Sequence, residues 1–575
     1  MGPALYEMNP PRGRALRGLV LAVVLGGIAL PILAGLSQTV AAAFGYLPAI
    51  GGEGPSLDAW RRLAALPGIW TSIRLSLSTG IGATVLSLLL AFALVATCFD
   101  RIATGRIARA ITPLLAAPHA AMALGVAFLI APSGWIVRAL SPWATGWRSP
   151  PDIATVHDPN GVALMLGLTI KELPFFVLVI VAALSQLPAG RQIAAGRALG
   201  YGCGQVWAKL IAPQIYPLIR LPIFVVLAFA LSVVDMAVIL GPSNPPTLAV
   251  AVTRWFFAPD VALFLPASAA AVAQAALALG AILLWLLAER LAATLGLGWL
   301  RRGGRGLRAG PGQMVAAAAM GALATGGLAL AGMIVWSIAW RWSFPALWPE
   351  SWSLAAWMHP GASWGSAAAT TLLLALSTTL LSLILAVAWL EGEDCAGMAR
   401  TGWAKALIYL PLLVPQVAFL YGLNVIFLRA GLAGGMAAVI WAQGLFVFPY
   451  VMIALSDPWR ALDPRLTRVA ASLGAGPTRQ LFAVKLPVLV RPLLTAAAIG
   501  FAVSVAQYLP TLFLGQGRIA TLTTEAVTLS SGSDRRVVAV YGVLQAALPL
   551  AAYALALLLP AVLYRNRQGV TGGGA

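Results

Sequence analysis

The sequence predicts an all-α polytopic membrane protein of about 12 transmembrane helices, arranged as two parallel six-helix repeats. Three observations carry this: an apolar composition, the spacing of hydrophobic windows, and a self-similarity between the two halves of the 575 residues. Of those residues 60% are hydrophobic and 10% charged, whereas a soluble domain carries about 25% charged residues. The net charge of +19 would suit nucleic acid. The basic residues, however, form short clusters between apolar runs, with no basic face and no interleaved aromatics, so no nucleic-acid partner is expected. Cys98, Cys203 and Cys395 lie far apart without CxxC spacing, and His119, His157 and His359 are scattered. Neither a metal site nor a histidine-based catalytic constellation is expected from them.

Windows of about 20 apolar residues place spans near 16–36, 73–97, 109–131, 161–187, 219–241 and 262–287. A second set falls near 314–340, 364–390, 404–428, 434–456, 490–512 and 537–564. Between the sets lies the basic, glycine-rich stretch Arg301-Arg302-Gly303-Gly304-Arg305-Gly306-Leu307-Arg308. It divides a first unit (1–290, core 70–290) from a second (314–575, core 364–565), with 291–313 as a cytoplasmic linker. With the N-terminus inside, Arg12, Arg14, Arg17, the linker, Arg565, Arg567 and the even-numbered loops share the cytoplasmic side. About two thirds of the 37 Lys and Arg then lie there, as retention of positive charge requires. Both termini are expected in the cytoplasm. Basic residues before the first span and Ala41-Ala42-Ala43 after it also fit a cleaved signal peptide. An uncleaved helix is preferred, because the apolar run is longer than a usual signal core and its loss would strip one half of a span.

The self-similarity is ordered along the chain. Ala198-Leu199-Gly200-Tyr201-Gly202 lies over Ser472-Leu473-Gly474-Ala475-Gly476, and with the same offset Pro213 pairs with Pro487, Leu240-Gly241 with Leu514-Gly515 and Thr247-Leu248 with Thr521-Leu522. Shifting by two sets Phe229-Ala230-Leu231-Ser232 over Phe501-Ala502-Val503-Ser504. Upstream, Leu86-Ser87-Leu88 matches Leu381-Ser382-Leu383, and Pro118 with Gly125 matches Pro415 with Gly422. Because each unit holds an even number of spans, the copies enter the membrane in the same sense, and one solute path between them is expected.

The loops 188–218 and 459–489 read as a helix, a glycine break and a second short helix ending at a proline. Gly200 and Gly474 supply the turn, and Pro213 and Pro487 are expected to stop the second helix. Arg191, Arg197 and Lys209, and in the second copy Arg465, Arg468, Arg479 and Lys485, make the surface basic. That charge alone also suits a solvated loop that fixes topology. Gly200 with Pro213, and Gly474 with Pro487, resemble the EAA loop of binding-protein-dependent ABC importer permeases, in which Glu-Ala-Ala precedes the glycine and an apolar-Leu-Pro stretch follows. The second copy ends Lys485-Leu486-Pro487, close to that pattern, and the first ends Ile211-Ala212-Pro213. Both depart at the acidic position, which is Ala194 in one and Arg468 in the other.

The resemblance implies that Arg197, Gly200, Gly202 and Pro213, with Arg468, Gly474, Gly476 and Pro487, form coupling helices seated on ABC ATPase subunits, two copies in all. It further implies a periplasmic solute-binding protein as partner, an inner-membrane location, and a fused two-unit permease similar to the iron(III) and thiamine systems. Thiamine or a related small organic cation is favoured over ferric iron. No Gly-Lys-Ser/Thr phosphate loop occurs, since none of Lys171, Lys209, Lys405 and Lys485 follows a glycine. ATP is therefore expected on another subunit, this chain needing no cofactor and catalysing no covalent step. Leu529-Ser530-Ser531-Gly532-Ser533 superficially matches an ABC signature but reads as a polar loop.

Ionisable groups at membrane depth are costly and point to function. Lys171, Glu172 and Asp235, with Gln507 and Tyr508 at the place corresponding to Asp235, are candidates for lining the path. A structural alternative stands beside this: Lys171 pairing with Asp235, or Glu172 held by backbone donors at the Pro174 kink. The loops Gly241–Pro246 and Gly515–Arg518 read as contacts for the binding protein or as turns, and Trp60, Trp70, Trp340 and Trp342 as interfacial anchors. Two competitors remain. An ion-coupled secondary transporter of 12 helices would use the same buried charges but has no reason to duplicate a helix-Gly-helix lever. A membrane enzyme would gather acidic or histidine motifs at one membrane face.

Overall fold

Helix runs through all twelve apolar windows, since a backbone in lipid must satisfy its own hydrogen bonds. The computed structural model describes residues 10–48, 52, 54–99, 106–301, 310–358, 363–396, 402–532 and 534–563. Among these, ten helices are long and apolar enough to cross a bilayer, and two sharply bent pairs bring the number to as many as twelve. Helices Phe264–Arg301 and Gly310–Ile338 extend into the expected linker from both sides. Its stretch 302–309, like Arg565 and Arg567, lies outside the described residues.

The spans expected as continuous at 109–131, 219–241, 404–428 and 490–512 are in fact broken. The third is Arg106–Ala116 followed by His119–Ile130, and the ninth Gly402–Leu413 followed by Gln416–Arg429, the latter bent by 108°. Pro118 and Pro415 sit at the two breaks in extended conformation. Each lacks an N–H and keeps its predecessor from helical angles. The fifth span, Ala212–Ser232, breaks at Val233-Val234 before Asp235–Leu240; the eleventh, Val490–Ala506, breaks at Gln507-Tyr508 before Leu509–Gly515.

After each of these comes a short helix that hydropathy windows do not reveal, Leu248–Phe256 and Leu522–Leu529. The two are anchored alike: the Leu248 N–H donates to Ser76 Oγ and the Leu522 N–H to Thr371 Oγ1, both at 2.9 Å. The loops Gly241–Pro246 and Gly515–Arg518 lead into them.

The halves interlock through their first spans. Leu30–Ala43 packs on Gln416–Arg429 and Pro10–Val24 on Trp364–Ala396, while Gly310–Ile338 packs on His119–Ile130 and Ile69–Thr97. Small residues let these backbones meet. A Cβ on Gly422 would lie 2.0 Å from the Gly35 carbonyl oxygen, and one on the matching Gly125 2.6 Å from the Ala329 carbonyl oxygen. Across the two halves, Phe256 stacks on Tyr421 with ring centroids 3.8 Å apart.

The described strands form one small hairpin, Ala339–Arg341 with Ser351–Trp352. Buried Arg138 holds its loop by donating to the carbonyls of Trp342, Ser343 and Ala346. Trp342 packs over that guanidinium, whereas Trp70 and Trp340 are exposed as interfacial anchors would be.

Candidate functional site

Two levers emerge from the loops 188–218 and 459–489. The first runs Ala189–Ala198, turns at Leu199-Gly200 and resumes at Cys203–Val206; the second runs Pro464–Ser472, turns at Leu473-Gly474 and resumes at Pro477–Gln480. Both turns carry the double hydrogen bond that ends a helix with a left-handed residue. In the first the Tyr201 N–H donates to the Gly196 carbonyl and the Gly200 N–H to Arg197; in the second Ala475 donates to Ala470 and Gly474 to Ala471. Gly200 at φ 81° and Gly474 at φ 78° occupy the position that disfavours any Cβ. Gly202 and Gly476 have ordinary negative φ and start the second helices.

Just before each glycine stands an exposed leucine, Leu199 at 66% and Leu473 at 80%. Arg197 and Arg468 are exposed, as is Ala194 at the other acidic-motif position.

Pro213 and Pro487 do not stop the second helices as expected. Each short helix passes into a five-residue π turn, Trp207–Ile211 and Leu481–Lys485, at matching positions. The wider turn and the orphan N–H places of the next first turn accommodate a residue with no donor. Pro213 therefore sits inside Ala212–Ser232, and the second copy bends by 77° only after Val488.

At membrane depth the candidate residues separate into two roles. Lys171 Nζ donates to the carbonyls of Leu114, Leu115 and Ala117, at 3.3, 2.9 and 2.6 Å. It closes the broken end of Arg106–Ala116 and does not pair with Asp235. Glu172 is held not by backbone donors but by His119, 3.1 Å from its carboxylate. His119 in turn lies 4.5 Å from Phe229, centroid to centroid. Asp235 starts the short helix after the fifth-span break, buried, with no ion-pair partner among the described residues. Tyr508 lies within electrostatic reach of Asp235, and Tyr450 within reach of Glu172. Each of these two carboxylates of the first half thus has a phenol of the second half within its electrostatic reach. Gln507, at the matching break, is buried beside a polar set in which Ser504 donates to Gln443 and Gln443 to Thr511.

The chain is 31% identical over 517 residues to the inner membrane ABC transporter permease protein YnjC of Escherichia coli (strain K12), covering 90% of this chain and 93% of that protein. This chain belongs to the ABC transporter permeases. A shorter similarity reaches the molybdenum transport system permease protein ModB of Mycobacterium tuberculosis (strain ATCC 25618 / H37Rv), at 31% identity over 199 residues, 31% of this chain and 72% of that one. ModB of Azotobacter vinelandii is 31% identical over 166 residues, 25% of this chain and 70% of its own. No family model matches.

With relatives that are permeases and spans that fill a bilayer, the permease is a multi-pass inner-membrane protein. Sequence reasoning missed His119, Phe229 and Tyr450. His119 is 53 residues from Glu172, and nothing local in the sequence signals their meeting. A signal for His119 was present in Pro118, which makes it the first residue of a helix after a break. The geometry of Lys171 carries its own prediction. Lys171→Met should leave three buried carbonyls without a donor, at roughly 1–3 kcal/mol each before relaxation. A fall in the thermal midpoint of the purified permease, with solute preference unchanged, is the expected measurement.

Proposed function

We propose that the permease forms the solute path of an ATP-driven importer and is driven by separate ATPase subunits seated on its two levers. The duplicated lever is the observation that carries this reading. The same capped turn, exposed leucine and π turn recur at matching positions in both halves. An exposed leucine on a rigid polar loop is a natural knob for a partner's groove. One ATPase subunit per lever gives two copies, docked by shape and apolar contact, since the EAA glutamate is absent at Ala194 and Arg468. Closure of the ATPase pair moves the levers, and the halves rock between inward- and outward-facing states about a shared axis. A periplasmic solute-binding protein delivers the solute on the face opposite the levers. Both chain termini then lie in the cytoplasm with the levers.

For the solute we favour thiamine or another small organic cation over ferric iron. Glu172 and Asp235, with Tyr450 and Tyr508 within their electrostatic reach and Phe229 against the His119 that meets Glu172, suit a cation with an apolar body. The described His, Cys, Asp and Glu side chains do not gather in threes at metal-binding range.

Proteoliposomes holding the permease, its ATPase and its binding protein should accumulate labelled thiamine only when ATP is supplied. Glu172→Gln and Asp235→Asn should each cut that uptake about tenfold or more, with ATPase capture unchanged. Uptake driven by an ion or proton gradient without ATP would favour the secondary-transporter reading instead.

A further inference from the structure

The last span of each half carries the same four residues. Gln274-Ala275-Ala276-Leu277 lies in Phe264–Arg301, the sixth span, and Gln545-Ala546-Ala547-Leu548 in Arg535–Leu563, the twelfth. Both glutamines are 0% exposed, and both aim the amide nitrogen at the break in the preceding span of their own half. A helix end leaves its last carbonyls without the donors that a continuing helix would supply. Leu231 and Val505 each stand two residues before such a break. Gln274 Nε2 donates to the Leu231 carbonyl at 3.1 Å. Gln545 reaches the Val505 carbonyl through one hydroxyl: its Nε2 donates to Thr523 Oγ1 at 2.6 Å, and Thr523 Oγ1 donates to Val505 at 2.5 Å. The register of the repeat explains the extra link. Thr523 corresponds to Ala249, as Thr521-Leu522 corresponds to Thr247-Leu248, and Ala249, equally buried, has no hydroxyl to insert.

Stability alone does not account for a glutamine at these two places. In each half the amide oxygen is buried with no hydrogen-bond donor among the described residues, and an unpaired acceptor away from water is costly. A methionine would remove that acceptor and uncover a backbone carbonyl instead, so one unmatched group would replace another. What the glutamine adds is a directed bond between two helices. That bond ties the last span to the point where Asp235 starts its short helix and where Tyr508 precedes the corresponding one.

We infer that Gln274 and Gln545 are positioning residues: they pin the broken ends of the fifth and eleventh spans to the sixth and twelfth, and so set where Asp235 and Tyr508 stand in the path. The inference rests on the reading of Asp235 and Tyr508 as path residues given above.

Spin-label distances test the pinning without any solute. In a permease whose native cysteines are alanine, labels at exposed Ser243 and Leu279 flank the first break, and labels at exposed Arg518 and Leu555 flank the second. Gln274→Met should shift the 243–279 distance, and Gln545→Met the 518–555 distance, by about 2 Å, the scale of a helix displacement at a packed interface. The thermal midpoint of both variants should stay near that of the unaltered permease. Thr523→Ala should leave 518–555 in place, because Gln545 then meets the Val505 carbonyl directly, as Gln274 meets that of Leu231. Thr523→Val fills the same space without a donor and should shift it. Distances unchanged in both methionine variants overturn the proposal, as does a shift in Thr523→Ala equal to that in Thr523→Val. With the ATPase and saturating binding protein, Gln274→Met should slow ATP-driven uptake of labelled thiamine about tenfold, the worth of one well-placed hydrogen bond, with ATPase capture unchanged. Full uptake despite a shifted distance would overturn the claim that the bond places Asp235. An unaltered permease that takes up no thiamine would sink the solute reading instead, and the distances would still decide this one.

Discussion

Gly422→Ala is expected to be among the most damaging single changes in the chain, although it adds one methyl group. The new Cβ would lie 2.0 Å from the Gly35 carbonyl oxygen and 2.9 Å from Thr39 Oγ1. Neither is the flexible end of a long side chain that can swing aside. The backbones of Leu30–Ala43 and Gln416–Arg429 must part by more than an ångström, and the dispersion contacts along the crossing fall away steeply with that gap. Overpacking of this kind costs about 1–3 kcal/mol in an ordinary core. Here the crossing joins the first span of one half to the core of the other, so the upper end is expected. A clear fall in the thermal midpoint of the detergent-solubilised permease is the readout. Gly125→Ala, facing the Ala329 carbonyl oxygen at 2.6 Å, should act in the same direction and less severely. A midpoint unchanged by Gly422→Ala would mean that the two spans do not cross at Gly35.

Replacing Gly200 and Gly474 together by valine should abolish ATP-driven transport while leaving the spans folded. Both positions are exposed, and a Cβ at Gly474 would meet nothing within 4 Å, so crowding is not the cause there. The cost is conformational. A β-branched residue held at φ near +80° is strained by about 1–3 kcal/mol. Relaxing that strain breaks the paired bonds from Tyr201 and Gly200, and from Ala475 and Gly474, that end the first helix of each lever. The leucine knobs then point elsewhere. The thermal midpoint should hardly move, because each turn stands away from the packed spans, and ATP-driven uptake should fall to background. Asparagine, which tolerates the left-handed region, should retain far more activity than valine at the same sites.

Much of this architecture was legible in the sequence for simple reasons. Twelve windows of bilayer length sufficed to place the spans, since every backbone donor in lipid must be met within a helix. The repeat was visible because its signals are glycines and prolines, whose backbone demands survive when side chains diverge. Gly125 and Gly422, paired by register alone, prove to be matching close-approach points. The breaks at Pro118, Pro415, Val233 and Gln507 were not legible as such, because a window of hydropathy averages over two or three irregular residues. The candidate site was half legible. Intramembrane charge marked Lys171, Glu172 and Asp235, yet the pattern carries no record of which partner each meets. Lys171 turns to carbonyls 54 to 57 residues away, and Glu172 to a histidine across a break. The proline at the end of each lever was misleading, because a π turn absorbs it without ending the helix.

The mass of the complex formed when this chain is expressed with its ATPase tests the lever account most directly. Two ATPase subunits per chain are predicted, one on each lever, with Leu199→Ser removing one and Leu199→Ser with Leu473→Ser removing both. A complex that keeps both ATPase subunits when both leucines are serine, or a chain that captures none in its unaltered form, would contradict it.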